Sequence, residues 1–332
     1  MITHLVFDGV ADGPLGVALD IVTSAERLVR AGLVSLPRGN ASIRQRVVSV
    51  DGKPVVTRAG RRCPVDGSLA SIRLGRGHVL ALPGLGAATG TELREVLERA
   101  DVGRALPRLR QASSSGTLLA ASCSSTFLLA AAGVLEGREA TTTWWLAPVF
   151  AKRFPDVALS TDRMVVDAGP VLTAGSALAH ADLLLAVVAR RFGPTLAHLV
   201  AKYLVLDERP SQARYMVSSH VRTSDASVRK LESYLRSHLE EPLTVATMAR
   251  VVGASPRTLA RRLHAELGTT PLGLLQRLRM ERALHLLETT DRPVERIAED
   301  VGYADPSAFR RIFQRELGES PGAVRRRVPS HR

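Results

Sequence analysis

Arg257, Arg261 and Arg262 follow Ser255-Pro256, and Arg310, Arg311 and Arg315 follow Asp305-Pro306. Serine and aspartate accept the orphan N–H groups at a helix start, and proline is tolerated at the first helical position. Each arginine set therefore belongs to a helix that begins at its proline. Leu259 and Leu263 in one, and Phe309 and Phe313 in the other, lie four apart and mark the buried face, which leaves the arginines on the other faces. A guanidinium there can bind phosphate oxygens, or pair bidentately with guanine at ~1 to 3 kcal/mol of discrimination. A solvated arginine face is the plainer alternative.

Cys123 is the other residue with evident chemistry. It follows an apolar strand pattern and precedes a helix, the place where a strand-turn-helix elbow presents a nucleophile. A thiolate there needs a base to accept its proton. Three readings stay open from the residues: a buried small hydrophobe, a ligand-pocket wall, or a reactive thiol. Trp144 and Trp145 could line the same pocket or belong to a core. His78, His180 and His198 are scattered singly, as satisfied histidines are. The two cysteines, Cys63 and Cys123, have no ligand spacing, so neither a zinc site nor a disulfide framework follows, and no metal or cofactor is expected. A reducing cytosol is the simplest location.

The arginine helices sit in an internal repeat. Val245–Pro271 aligns with Val294–Pro321: Ala249 with Ala298 and Gly253 with Gly302 at one offset, then Leu259 with Phe309, Arg261 with Arg311, Gly268 with Gly318 and Pro271 with Pro321 after one inserted residue. Each copy reads as a short helix, a glycine that takes the left-handed C-cap, and a second helix, which is a helix-turn-helix. Between them, Leu275, Leu278, Ala283, Leu286 and Leu287 recur at three and four, predicting one helix from Pro271 to about Thr290. At ~1.5 Å per residue it is roughly 30 Å long. Successive major-groove faces lie ~34 Å apart, so this connector could keep two reading helices in phase. Two copies are too few for a solenoid.

The first two thirds alternate short apolar runs with amphipathic stretches, as βα units around a mainly parallel sheet do. Strands are expected at His4–Phe7, His78–Leu82 and Thr117–Ala121, and helices at Thr91–Arg99, Ser125–Ala132 and Ala179–Arg191. After Tyr203 the sequence turns polar, which places a linker at 207–224 between domains at 1–206 and 225–332. The net charge of +13 invites a nucleic-acid reading. From Asp225 onward, however, 19 basic and 14 acidic residues leave only +5, so charge alone does not single out the helical half as a nucleic-acid binder. The start of the chain lacks a signal-peptide pattern, and the apolar stretch Leu178–Ala189 is too short to span a bilayer, so no membrane is expected.

Over residues 225–327 the chain closely resembles the AraC/XylS transcription-regulator family, in SPRTLARRLHAELGTTP, RLRMERALHLLE and VERIAEDVGYADPSAFRRIFQRELGESPGAVRRR. The resemblance puts Arg257, Ala260 and Arg261, and Pro306, Ser307 and Arg311, at base-reading positions, with Thr258 and Arg310 beside them. Alanine stands where a longer polar side chain is common, and proline begins the second set. To about Arg209 the chain resembles the PfpI-like, class I glutamine-amidotransferase-like domain of GlxA-type regulators, in FDGV (7–10), LALPGLG (80–86) and SCSSTFLLAAAGVLEGREATTTWW (122–145). In enzymatic relatives a histidine follows the elbow; here Thr143 occupies its place, and Ser125 replaces the turn glycine. Asp20 stands where such domains carry a glutamate near the thiol. Asp20, Cys123, Thr143 and Trp144 are thus the candidate pocket residues.

The expected fold is a flavodoxin-like α/β domain, mainly parallel with helices on both faces, followed by an all-α domain with two helix-turn-helix units. The expected function is sequence-specific DNA binding in transcription regulation, without catalysis. The implied partners are double-stranded DNA, a second copy through the α/β domain, a small-molecule effector and RNA polymerase. A thiol-dependent amidase or deglycase with a helical appendage, and a helical protein-interaction adaptor, are the alternatives.

Overall fold

In the computed structural model, which describes residues 1–37, 42–207, 209, 211–216, 225–267 and 269–327, the chain forms two compact units, Met1–Pro210 and Ser211–Arg332.

The first unit is built on a six-stranded sheet ordered β2-β1-β5-β6-β10-β9. These strands are β1 (Ile2–Leu5), β2 (Gln45–Val48), β5 (Val79–Leu82), β6 (Leu118–Ser122), β9 (Val165–Asp167) and β10 (Val171–Ala174). All neighbours are parallel except β9 on β10, where Thr173 faces Val166. The strands β3 (Val55–Val56) with β4 (Arg62–Cys63), and β7 (Glu139–Ala140) with β8 (Ala158–Leu159), form two small ribbons.

The central strands are apolar on both faces because helices cover both faces. Val79, Ala81, Leu118 and Ala120 point into a core under α1 (Asp12–Arg30), α6 (Ala179–Phe192) and α7 (Pro194–Tyr203). The alternate residues Leu80, Leu82, Leu119 and Ala121 point into the opposite core. That core receives α2 (Gly90–Glu98), α3 (Ala100–Ser114), α4 (Thr126–Ala131) and α5 (Ala147–Arg153). A period of two inside a continuous apolar run is what a doubly covered strand requires. The first strand lies two residues earlier than His4–Phe7. Its partner β2 carries Gln45 and Arg46 and has no apolar run to betray it.

In the helical unit, α8 (Ala226–Ser237), α9 (Val245–Val251) and α10 (Pro256–Leu267) pack on the first part of α11 (Pro271–Thr289). Then α12 (Val294–Asp300), α13 (Pro306–Leu317) and α14 (Pro321–Arg327) pack on the rest of α11. Leu274, Leu275 and Leu278 enter one core, and Met280, Ala283, Leu286 and Leu287 the other. One helix thus belongs to both copies of the repeat, and its ends cannot be moved without disturbing two cores.

The described edges of the segment read as a linker each pack on a unit. Arg209 hydrogen-bonds the Leu178 carbonyl at 2.9 Å and pairs with Asp182 in the first unit. In the second unit Gln212 is buried and Ala213 packs on the core of the second copy. Residues 217–224 lie outside the described residues, as does Gly268 of the repeat.

Candidate nucleic-acid interface and the cysteine elbow

Both turns of the repeat close in the same way. Gly253 takes φ +64° and Gly302 φ +81°. The next N–H then reaches back to the buried alanine: Ala254 to the Ala249 carbonyl at 3.0 Å, Tyr303 to the Ala298 carbonyl at 2.9 Å. The second helix of each pair is capped as its sequence requires. Ser255 Oγ accepts from Thr258 N at 3.1 Å, and the Asp305 carboxylate accepts from Ser307 N at 2.8 Å and Ala308 N at 3.1 Å. Leu259, Leu263, Phe309 and Phe313 are all fully buried, so the opposite faces of α10 and α13 face out.

On those faces Arg257, Arg261 and Arg311 are exposed. Among the described residues no hydrogen bond or ion pair engages their guanidinium groups. The other arginines of these helices are held. Arg262 donates to Ser227 Oγ at 3.1 Å, Arg315 pairs with Glu316 at 2.8 Å, and Arg310 pairs with Glu295 of α12. Arg310 therefore differs from its neighbour Arg311, although the sequence placed both at the interface. Thr258 also differs from the expectation, because its hydroxyl bonds Ser255 Oγ at 2.9 Å within the cap. Ser307 is exposed beside Arg311, and Ala260 is half-buried. Asp225, which caps α8, is drawn upward by burial but held lower overall by N–H bonds from Ser227 and Val228 and the charge of Arg262. Arg262 is thus a structural strut between α8 and α10.

The elbow lies at the carboxyl end of β6, beside the crevice where strand order reverses across β1 and β5. Ligands of doubly wound sheets bind in such a crevice. The adjoining loops approach closely there: a Cβ on Gly86 (φ +75°) would stand 2.1 Å from the Gly9 carbonyl oxygen. Cys123 takes φ +56°, a left-handed backbone that costs a non-glycine residue ~1 to 3 kcal/mol. Its N–H donates to the Gly175 carbonyl at 2.8 Å, and its own carbonyl accepts from Thr142 Oγ1 at 2.7 Å.

The side chains around it satisfy one another. Leu85 N donates to Ser124 Oγ at 2.9 Å, Ser125 Oγ donates to the Pro83 carbonyl at 2.5 Å, and Thr126 Oγ1 donates to the Thr141 carbonyl at 3.2 Å. Ser122 Oγ pairs with His180 Nδ1 at 2.9 Å. Cys123 is 6% exposed. Burial pushes its thiol up, and hydrogen bonds from Ser124 and Thr143 and the charge of Arg58 offset this only in part.

Thr143 does adjoin the thiol, with its hydroxyl 3.3 Å from Ser176 Oγ. Trp144 is buried edge-on against Trp145, with ring centroids 5.2 Å apart. Asp20 is a correction. The buried stripe of α1 runs through Leu15, Ala18, Ile21, Val22 and Ala25, and this helical phase turns Asp20 outward to solvent. The carboxylate that does work near the start of α1 is Asp12, which accepts from Arg61 Nε at 2.8 Å. Of the histidines of the first unit, His198 is exposed and His78 half-buried, whereas burial holds neutral His4 and His180 down to about 4 and about 3, and His4 Nδ1 and His180 Nε2 lack partners. No cluster of three or more His, Cys, Asp or Glu is placed to hold a metal among the described residues, nor is any helix long and apolar enough to cross a membrane.

A doubly wound α/β unit joined to a paired helix-turn-helix unit defines the class: a transcription regulator that binds DNA through its C-terminal part. The DJ-1/PfpI family model matches residues 5–190, more than half of the chain, and a helix-turn-helix domain matches residues 248–327. The chain belongs to the DJ-1/PfpI family, in the group whose α/β domain precedes an AraC-type helix-turn-helix domain. It is 30% identical to the HTH-type transcriptional regulator GlxA of Rhizobium meliloti over 71% of this chain and 74% of that protein. With the HTH-type transcriptional regulator CdhR of Pseudomonas aeruginosa it shares 29% identity over 86% of this chain and 82% of the relative. A crystal structure of a ThiJ/PfpI family protein from Pseudomonas syringae superposes with a TM-score of 0.51 at 21% identity, covering 67% of this chain and 82% of that one, which supports the fold.

Proposed function

We propose that the chain reads duplex DNA by laying α10 and α13 in neighbouring major grooves, with Arg257, Arg261 and Arg311 reaching base edges. The observation that carries this reading is the set of three exposed, unengaged guanidiniums on two capped helices whose cores share α11. Ser307 adds a hydroxyl to the second helix, Ala260 offers at most a methyl contact, and Thr258 and Arg310 serve the fold first. The α/β unit is the sensing and dimerising part. Cys123 lines its crevice as a neutral thiol and does not act as a nucleophile; the burial that pushes the thiol up, and Thr143 beside it in place of a histidine base, support this. The amidase reading needs that base.

Arg261→Ala and Arg311→Ala are each expected to weaken binding to a duplex selected by the native chain by ~1 to 3 kcal/mol, and to relax base preference at one position. Fluorescence anisotropy on that duplex, with every base pair varied in turn, measures both. Unchanged affinity and selectivity in both variants would overturn the assignment of α10 and α13.

A further inference from the structure

The two turns of the repeat look equivalent in sequence and are not equivalent in space. At Gly253 a Cβ would meet nothing within 4 Å, so that glycine is needed only for its backbone angle. At Gly302 a Cβ would lie 2.4 Å from both Arg279 Nη2 and the Leu239 carbonyl oxygen. The turn of the second copy is therefore pressed against a carbonyl of the first copy's core, and Arg279 fills the seam.

Arg279 projects from the middle of α11. Its Nε donates to the Leu239 carbonyl at 3.0 Å and its Nη2 to the Glu241 carbonyl at 2.8 Å, both in the connection between α8 and α9. Its guanidinium also sits 5.4 Å from the ring centroid of Tyr303, the residue that stands where the first turn has Ala254. Tyr303 packs in turn on Phe309 of α13, with ring centroids 5.6 Å apart. A planar fork satisfying two carbonyls while stacking on a ring has fixed geometry, which lysine cannot reproduce. Burial works against the charge of Arg279, while the charge and hydroxyl hydrogen bond of Tyr303 favour it. Two other bridges cross the seam: Gln276 Nε2 donates to Glu316 Oε1 at 2.6 Å, and Arg236 pairs with Glu281 at 3.2 Å.

We propose that Arg279, through Leu239, Glu241 and Tyr303, is the positioning residue that locks the two helix-turn-helix copies into one rigid reader with a single tolerated spacing between the DNA segments they contact. The helix α11 sets how far apart the copies are. The Arg279 clasp stops the second copy from pivoting about that helix. A locked pair presents the second helix to its groove at a high effective concentration once the first is bound, and a loose pair forfeits that gain.

The proposal rests on the two-groove reading above, and the test separates the two. The probes are a duplex recovered by in-vitro selection with the full native chain, the same duplex with the segment under α13 scrambled, and versions with two or five base pairs inserted between the segments. The native chain should lose on the order of tenfold or more in affinity on scrambling and on either insertion. Arg279→Ala should bind the intact duplex about tenfold more weakly than the native chain, match it within about twofold on the scrambled duplex, and respond little to the insertions. Arg279→Lys, which keeps the stem and charge, should fall between them and serves if the alanine variant does not fold. A native chain indifferent to scrambling and spacing would sink the two-groove reading itself. A spacing-sensitive native chain with equally sensitive Arg279 variants would sink the clasp alone. Equal losses on intact and scrambled duplexes would reduce Arg279 to a purely structural role, which also overturns the proposal.

Discussion

The first helix-turn-helix copy carries two unengaged guanidiniums, Arg257 and Arg261, and a turn with open space around Gly253. The second carries one, Arg311, and a turn pinned against its neighbour through Gly302 and Tyr303. At the repeat positions of Arg257 and Ala260 it has Ser307 and Arg310, and Glu295 has taken hold of the latter. Two copies of one scaffold carry different side chains, and on the reading proposed above these divide the work: the first copy would read more, and the second would be fixed in register so that its fewer contacts fall in the right place. Spare charge marks where a partner is to be met, while saturated charge marks where the fold is held.

The largest test of that division concerns the cores. Phe309 is packed by both Tyr303 and Phe313, with ring centroids 5.6 and 5.5 Å away, whereas its counterpart Leu259 sits in a core of leucines, valine, methionine and alanine with Tyr234 packed against it. Truncating a buried phenylalanine costs ~3 to 5 kcal/mol, a leucine ~2 to 5. Phe309→Ala should therefore destabilise the helical unit more than Leu259→Ala, and should abolish spacing preference as well, because Tyr303 loses its support. Urea unfolding followed by circular dichroism, with the spacing series above, reads both effects. A larger loss from Leu259→Ala would reverse the assignment of the second copy as the anchored one.

The division also assumes that the helical unit stands by itself, and acid tests this. His4 and His180 are fully buried and neutral, held down to about 4 and about 3, while His238, His264 and His285 of the helical unit are all at least partly exposed. Unfolded histidine titrates near ~6.5, so below that pH the unfolded α/β unit binds protons that the folded one refuses. Stability is complete above ~6.5 and falls as pH drops toward the folded values, by about 2 kcal/mol per histidine at pH 5. Both tryptophans, Trp144 and Trp145, lie in the α/β unit, so their fluorescence follows that unit alone. Urea midpoints from fluorescence should drop from pH 7.5 to pH 5 while the helical transition moves much less. Parallel shifts of the two transitions would mean that the units do not unfold independently.

What the sequence disclosed and what it concealed divide along distance. Helix boundaries, the two glycine turns, the Ser255 and Asp305 caps and the connector α11 were legible, because each is decided by residues within one or two turns of chain. The doubly covered sheet was legible in the apolar runs of β5 and β6, though not in β2, whose strand is made by pairing with β1. The partners of charged side chains were not legible. Whether Arg310 is free depends on Glu295, fifteen residues earlier on another helix, and the role of Arg279 depends on carbonyls some forty residues away. Asp20 was expected near the thiol by alignment, and the phase of apolar residues along α1 already placed it on the exposed face.

Arg310 supplies the smallest effect and the most discriminating one. It stands beside Arg311 on α13, so charge counting treats the two alike, yet its guanidinium is committed to Glu295 on α12, both side chains being about half exposed. An exposed pair contributes ~0 to 1 kcal/mol, so Arg310→Ala should cost little stability and, unlike Arg311→Ala, should leave base preference unchanged. Freeing the guanidinium without removing it is the sharper experiment. Glu295→Gln takes away the competing carboxylate and lets Arg310 swing to a phosphate, which should strengthen binding to any sequence and steepen the dependence of log affinity on log salt by about one ion. If Glu295→Gln leaves the salt slope untouched while Arg310→Ala lowers it, Arg310 already abandons Glu295 in the complex. The second copy would then contribute as many cations as the first, and the division of labour between them would disappear.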